Sequence, residues 1–365
     1  MTDGPHGFAI DPPVEPMLAQ LAESLPPEGN FLYEPKWDGF RAIVFRGASD
    51  LYIQSRDLKP LDRYFPELHD MLLSRLPEGC VVDGEIVITG SKGLDFDALQ
   101  LRLHPAASRV AKLSKAIPAS FVAFDLLAVD GRDVRATPQH ERRRMLERLI
   151  TDSGAPLYLT PMTLDRETAA RWLEQFEGAG LDGVIAKPAE GQYQPGKRAM
   201  IKIKHVRTAD CVVGGFRWYK GGKEAVGSLL LGLYDQRGVL QHVGVTSSFT
   251  MVKRKQLVTE LAPLRVDALE GHPWRAWAEA DASGSRMPGA QSRWSAGKDL
   301  SWEPVRIERV CEVKYDHLQG DRFRHAAVFL RWRPDKQPHD CRYDQLDVTP
   351  AYELANVFSS GSSGS

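Results

Sequence analysis

Lys36 falls in a tight turn between two apolar, strand-like runs, within the stretch FLYEPKWDGFRAIVF at residues 31–45. An ammonium group in such surroundings is costly unless a carboxylate pairs it or its amine serves as a nucleophile. Two readings stand side by side: a structural ion pair with Asp38 or Glu34, or a reactive amine with Asp38 and Arg41 next to it. Farther along, AMIKIKH carries Lys202 and Lys204 at i, i+2, a spacing that projects both ammonium groups from one face of a strand. A half-buried strand with a solvated lysine face has the same alternation. Glu85 and Asp182 each stand where an Asp-Gly pair meets an apolar run, a place that ordinary turn acids also occupy. Phe124, one ring among the alternating apolar residues of ASFVAFDLLAVDG, reads on its spacing as core.

The elements that must position these groups come in two textures. Over residues 31–130, short strand-like runs (RAIVFRG, LYIQSR, CVVDGEIVIT, ASFVAFDLLAVDG) alternate with turns. Helical patterns interrupt them. YFPELHDMLLSRL places Leu68, Met71, Leu72 and Leu76 at helical spacing, and TPQHERRRMLERLI opens with Thr137 as N-cap and Pro138 in the first turn. The charged part of that second helix, residues 141–149, reads as a solvated face. After RETAARWLEQFEGAG come the strand DGVIAKP, a Gly/Pro loop and AMIKIKH. Hairpins with dispersed helices predict an α+β domain of largely antiparallel sheets. From about Thr208 three strands follow in quick succession, then the helix TMVKRKQLVTELAPL, a long polar connection and two more strands. That is the element order of a five-stranded OB barrel. The expected division is therefore residues 1–206 for the first domain, 207–350 for the OB-fold domain and 351–365 for a flexible tail ending in SSGSSGS. The connection at 268–304 is too long for an idle loop.

Composition narrows the partners. Hydrophobic residues make up 42% and charged residues 26%, the balance of a globular chain. The net charge is −1, so a polyanion has to be gripped by local basic patches. The four cysteines are far apart, with no C-x-x-C pair, which offers no zinc site and suits a reducing compartment. The N-terminal residues carry neither a basic nor an apolar leader segment, and no apolar run reaches the ~20 residues of a membrane span. The expected location is the cytoplasm.

EPKWDGFR resembles the K-x-D-G nucleotidyltransferase signature of ATP-dependent DNA ligases, and the resemblance continues in order. Ser55–Arg56, the DGE at Asp83–Glu85, FVAFDLL around Phe124, DGVIAK at Asp182–Lys187 and IKIK ending at Lys204 are similar to that family's successive motifs. RPDK at Arg333–Lys336 resembles the motif in its OB domain, and FDALQLR at Phe96–Arg102 a stretch of its bacterial members. The layout is similar to the compact bacterial members, the ligase C type and the ligase module of ligase D. The fold the resemblance implies is a nucleotidyltransferase domain followed by an OB-fold barrel. The activity it implies is ATP-dependent sealing of 3′-OH/5′-phosphate nicks in DNA repair.

The roles it implies are specific. Lys36 attacks the ATP α-phosphate and carries AMP as a phosphoramidate, which requires an amine kept neutral by burial and positive neighbours. Arg56, Lys202 and Lys204 neutralise phosphates. Glu34 reads the adenine amine, Phe124 stacks on the base, Arg41 contacts the ribose or 5′-phosphate, and Asp38 orients Lys36. Glu85 and Asp182 hold Mg²⁺, with Mn²⁺ as the alternative, since hard cations take carboxylate oxygens. The family usually has Glu where this chain has Asp182. Arg333, Asp335 and Lys336 close over pyrophosphate. Lys253, Arg254, Lys255, Arg322, Arg324 and Arg331 are candidates for gripping the phosphates of nicked duplex DNA. The chain is expected to act as a monomer, and its repair polymerase or end-joining partner is unnamed by the sequence. The rival readings are an RNA ligase or capping-type nucleotidyltransferase, and a non-catalytic OB-fold nucleic-acid-binding protein. An NAD⁺-dependent ligase is expected to need more than the 35 residues ahead of Lys36.

Overall fold

The computed structural model describes residues 7–27, 29–90, 93–151, 154–204, 207–220, 222–277, 301–316, 318–346 and 354–359. The chain divides into two compact units, Met1–His205 with Thr349–Ser365, and Val206–Val348.

In the first unit two sheets carry the site. A four-stranded sheet has the order Leu18–Ala22, Arg198–Ile203, Val184–Pro188, Phe31–Pro35. A six-stranded sheet runs Leu157–Leu159, Ser120–Val129, Cys80–Val87, Phe40–Arg46, Leu51–Ser55, with Arg132–Asp133 paired to Ser120–Val129. Most pairings are antiparallel; Leu18–Ala22 with Arg198–Ile203 and Leu157–Leu159 with Ser120–Val129 are parallel. Between the sheets, Ile43, Phe45, Val81 and Leu127 pack with Tyr193 and Met200. The outer face of the larger sheet is covered by the helix Pro66–Arg75, whose Leu68 and Leu72 are fully buried, as the spacing predicted. The smaller sheet packs on the helix Arg166–Gln175 through Ala169 and Trp172.

Two expectations need correction. The helix Gln139–Leu149 begins one residue later than Thr137 capping would place it, with Pro138 outside its first turn. Its charged stretch is solvated only in part: Glu141, Arg144, Glu147 and Arg148 are exposed, but Arg142 is fully buried and Arg143 nearly so. Arg142 forms a bidentate pair with buried Asp125, at 2.9 and 3.1 Å, which is what makes the burial of both charges tolerable. The second correction is at the C-terminus. Residues 354–359 form a helix whose Val357 is buried in the core of the first unit, so this part of the expected flexible tail is packed structure.

The second unit is the OB-fold. Its strands run Leu240–Thr246, Val226–Tyr234, Arg207–Trp218, Val310–Tyr315, Val328–Trp332, with Glu303–Pro304 on Arg207–Trp218. A bridge between Thr246 and Ala327 brings the ends of this path together. The helix Met251–Leu261 is capped by Thr250, whose side chain accepts from the Lys253 amide, and it buries Leu257 and Leu261. Trp274, from the long connection, is buried in the barrel core; residues 278–300 of that connection lie outside the described residues. The cysteines are free and buried. No helix among the described residues is long and apolar enough to cross a membrane.

Candidate active site

Lys36 lies where the chain leaves the Phe31–Pro35 strand of one sheet and heads for the Phe40–Arg46 strand of the other. Its backbone is pinned: the Lys36 N–H donates to the Gly183 carbonyl at 2.8 Å, and the Asp182 N–H donates to the Lys36 carbonyl at 2.9 Å. Gly183 has φ +132°, and a Cβ there would collide with the Ile203 carbonyl. Only glycine admits this approach. The pinning puts Lys36 Nζ 2.5 Å from Asp182 Oδ2, and Lys204 Nζ reaches the same oxygen at 2.9 Å. Burial works to raise the Asp182 carboxyl, but these two ammonium groups hold it below the usual carboxylate range.

The lysine is therefore paired with Asp182 rather than with Glu34. Glu34 is engaged elsewhere: its Oε2 lies 2.7 Å from Lys187 Nζ, and Arg143 Nη1 stands 3.8 Å from Oε1. Burial pushes Glu34 up, opposed by those two cations, and its Oε1 has no hydrogen-bond partner. Lys187 also donates to the Phe124 carbonyl at 2.7 Å and stands 5.0 Å from the Phe124 ring centre. Arg41 lies 5.1 Å from the same ring and is locked by a bidentate bond to Asp83, at 3.0 and 2.6 Å. Asp83 is fully buried and also accepts from the Tyr193 hydroxyl at 2.7 Å.

These groups surround a cavity of about 200 Å³ between the two sheets, lined among others by Glu34, Lys36, Arg41, Arg56, Glu85, Phe124, Lys187 and Lys202. Burial lowers the Lys202 amine, and the nearby charges of Lys36, Lys204, Arg56 and Arg198 lower it further. Such a cluster of cations suits a polyphosphate. Burial pushes the Glu85 carboxyl up to about 8; Lys36 and Arg41 oppose this, while Asp38 and Asp83 add to it. A carboxylate so short of compensating charge, with acids beside it, fits a divalent cation with oxygen ligands. Asp182, by contrast, has its Oδ2 engaged by two lysines. Among the described residues no three acidic, His or Cys side chains are grouped to hold a metal by themselves, so substrate oxygens or water would have to complete the shell.

The sequence-predicted residues thus converge in the first unit: Glu34, Lys36, Arg41, Arg56, Glu85, Phe124 and Lys202 on one cavity, with Asp182 joined to both Lys36 and Lys204. Sequence reasoning missed Lys187, Asp83, Tyr193 and Arg143. Lys187 and Asp83 lie inside motifs already singled out, whereas nothing local marks Arg143 or Tyr193. In the second unit Arg333 pairs with Asp210 at 2.9 Å and with Asp335 at 2.8 Å, and Lys336 stands 3.8 Å from Asp210. Lys253 pairs with Glu260 at 2.9 Å, and Arg331 with Glu312 at 2.6 Å. Arg254 departs from its expected role. Its guanidinium donates to the carbonyls of Val226, Gly227 and Ser247 and lies over the Tyr219 ring. That arrangement ties the helix to the strands and leaves little for a phosphate. Lys255 and Arg322 are exposed, and Arg324 is half-buried.

A half-buried amine beside a cation-lined cavity, with an apolar ring and a buried carboxylate lining it, is the arrangement of a nucleotidyltransferase. The family described as "ATP dependent DNA ligase domain" matches residues 16–204, and "ATP dependent DNA ligase C terminal region" matches residues 222–336. The chain is 54% identical to DNA ligase C2 of Mycolicibacterium smegmatis, over 93% of this chain and 96% of that protein. It is 52% identical to DNA ligase C of Mycobacterium tuberculosis, over 95% of this chain and 98% of that protein. A solved structure titled as a Lig E DNA ligase with a minimal DNA-binding scaffold is similar in fold, with TM-score 0.54 and 17% identity over 87% of this chain and 99% of that one. The chain belongs to the ATP-dependent DNA ligases. It is an enzyme that uses ATP to seal nicks in DNA, and the RNA-ligase, capping and non-catalytic readings give way.

Proposed function

We propose that Lys36 is the nucleophile and that the cavity binds ATP with the adenine against Phe124. The observation that carries this reading is the amine itself, pinned through its backbone to Asp182–Gly183 and opening on the cavity. In the first step Nζ bonds to the α-phosphorus, the bond to the bridging oxygen breaks, and pyrophosphate leaves. The amine gives up a proton as the new bond forms, and Lys202, Lys204 and Arg56 neutralise the phosphates it attacks. Glu34 Oε1, without a partner, accepts from the exocyclic amine of adenine; a guanine carbonyl there would meet a second acceptor. Arg41, locked by Asp83, orients the ribose or the 5′-phosphate of the nick, and Asp38 sits beside Glu85 and helps to order the turn. Glu85 is the residue that would hold Mg²⁺, or Mn²⁺ in its place, with Asp182 as second carboxylate once ATP draws the lysines away. When bound, the ion neutralises phosphate charge.

The second and third steps pass AMP to the 5′-phosphate of the nick and let the 3′-OH displace it. Arg333, Asp335 and Lys336 serve the pyrophosphate-releasing step, and Lys253, Lys255, Arg322, Arg324 and Arg331 grip duplex phosphates. The relatives named for non-homologous end joining, such as a LigD of Mycolicibacterium smegmatis at 29% identity, support a role in DNA repair; action as a monomer on the nucleoid is part of the same reading. The test is transfer of label from the α-phosphate of ATP. Wild-type protein acquires label on Lys36, and Lys36→Ala, folded by circular dichroism, acquires none. Label persisting in that variant would remove Lys36 from the role.

A further inference from the structure

We propose that Phe358, in the C-terminal helix Leu354–Ser359, is a positioning residue for Lys36 that acts through the indole of Trp37. The C-terminal segment is then a working part of the adenylylation site. The inference rests on Lys36 being the nucleophile.

Trp37 follows the nucleophile directly, lines the cavity and is 5% exposed. Its indole is fixed from two directions. The Nε1–H donates to Thr160 Oγ1 at 2.8 Å, and the ring stacks on Phe358 with centroids 5.1 Å apart and planes 19° from parallel. Phe358 is itself stacked on Tyr158, at 4.0 Å and 13°. The helix is anchored by Val357, fully buried in a cluster with Trp37, Phe176, Leu181 and Val184. Leu181 and Val184 bracket Asp182–Gly183, the segment that holds Lys36 by reciprocal backbone bonds. One apolar cluster, completed by the C-terminal helix, therefore backs both halves of the Lys36–Asp182 pair.

A helix of six residues has no stability of its own, so its aromatic residue is held in place by its packing partners. Removing the Phe358 ring opens a void against the indole face. The Lys36–Trp37 backbone is then free to drift, and in-line attack tolerates little drift. The chain reaches this position only after passing through the second unit, since Thr349–Ser365 belongs with the first.

The test measures two reactions of the full-length protein: single-turnover labelling of Lys36 from ATP, and sealing of a nick already carrying a 5′-adenylate, in which Lys36 forms no bond. Phe358→Ala is expected to slow labelling tenfold or more and to leave sealing of the adenylated nick within twofold. Phe358→Tyr, which keeps the stacked ring, should restore labelling to within twofold. Equal labelling by Phe358→Ala and wild type overturns the inference. So does equal loss in both reactions, or failure of the tyrosine to rescue. If the alanine variant does not fold, Phe358→Leu, apolar but without a ring face, is judged by the same outcomes. A wild-type protein that labels no Lys36 would instead refute the reading beneath it.

Discussion

Two carboxylates in the first unit are tuned in opposite directions. Asp182, 2.5 and 2.9 Å from two ammonium groups, is held ionised, whereas Glu85 is pushed from 4.5 up to about 8, chiefly by burial. The sign for Glu85 follows from linkage. A raised carboxyl binds its proton more tightly in the folded state, so its contribution is fully present below pH 4.5 and is lost as pH rises through about 8. Glu85→Gln cannot ionise. The nucleotide-free variant should gain in melting temperature relative to wild type as the medium goes from mildly acidic to mildly alkaline, while losing metal-dependent adenylylation; a constant difference across that range would contradict the assignment. Asp182→Glu lengthens the acid toward the usual family residue and should retain adenylylation. A complete loss, measured by label transfer, would mean that the shorter acid is required for the Lys36 and Lys204 pairs.

At the scale of elements, the pairing of Lys36 with Asp182 depends on the tight approach at Gly183, and the Arg142–Asp125 pair fixes the helix Gln139–Leu149 to the Phe124 strand. Gly183→Ala places a methyl against the Ile203 carbonyl at a positive φ and should cost roughly 2 kcal/mol or more, read from urea unfolding. Asp125→Ala strands a fully buried guanidinium, a loss of roughly 3–5 kcal/mol. Much of this was legible beforehand. The helix over residues 66–75 came from spacing, and the helix within TMVKRKQLVTELAPL belonged to the OB order of three strands, a helix and two strands. The buried arginines of Gln139–Leu149 were not legible, because charge in a helical pattern carries no mark of a buried partner on another strand. The packed helix at 354–359 escaped for a related reason: six residues form it only against a preassembled apolar cluster.

For the whole molecule, sealing is expected to require both units. Excising residues 207–348 should abolish nick sealing in a gel assay, and full sealing by the excised protein would exclude a role for the barrel. Nick affinity should fall with salt, and replacing exposed Lys255 or Arg322 by Gln should reduce the slope of log K against log salt by about 0.9 for each phosphate that is no longer neutralised. Arg254→Gln should instead lower the melting temperature, since its partners are carbonyls of the barrel.

The residue types and the ordered motifs that resemble the ligase family carried the class of chemistry and most of the charged residues that line the cavity. Those are properties of short segments, set by backbone alternation and by what an amine, a carboxylate or a ring can do. The partners of Lys36 and Glu34, the locking of Arg41 by Asp83, the structural use of Arg254 and the seating of Phe358 on Trp37 were decided only in three dimensions. Each joins groups from distant parts of the chain, and ion pairing and stacking depend on distances that only the packed sheets and helices establish.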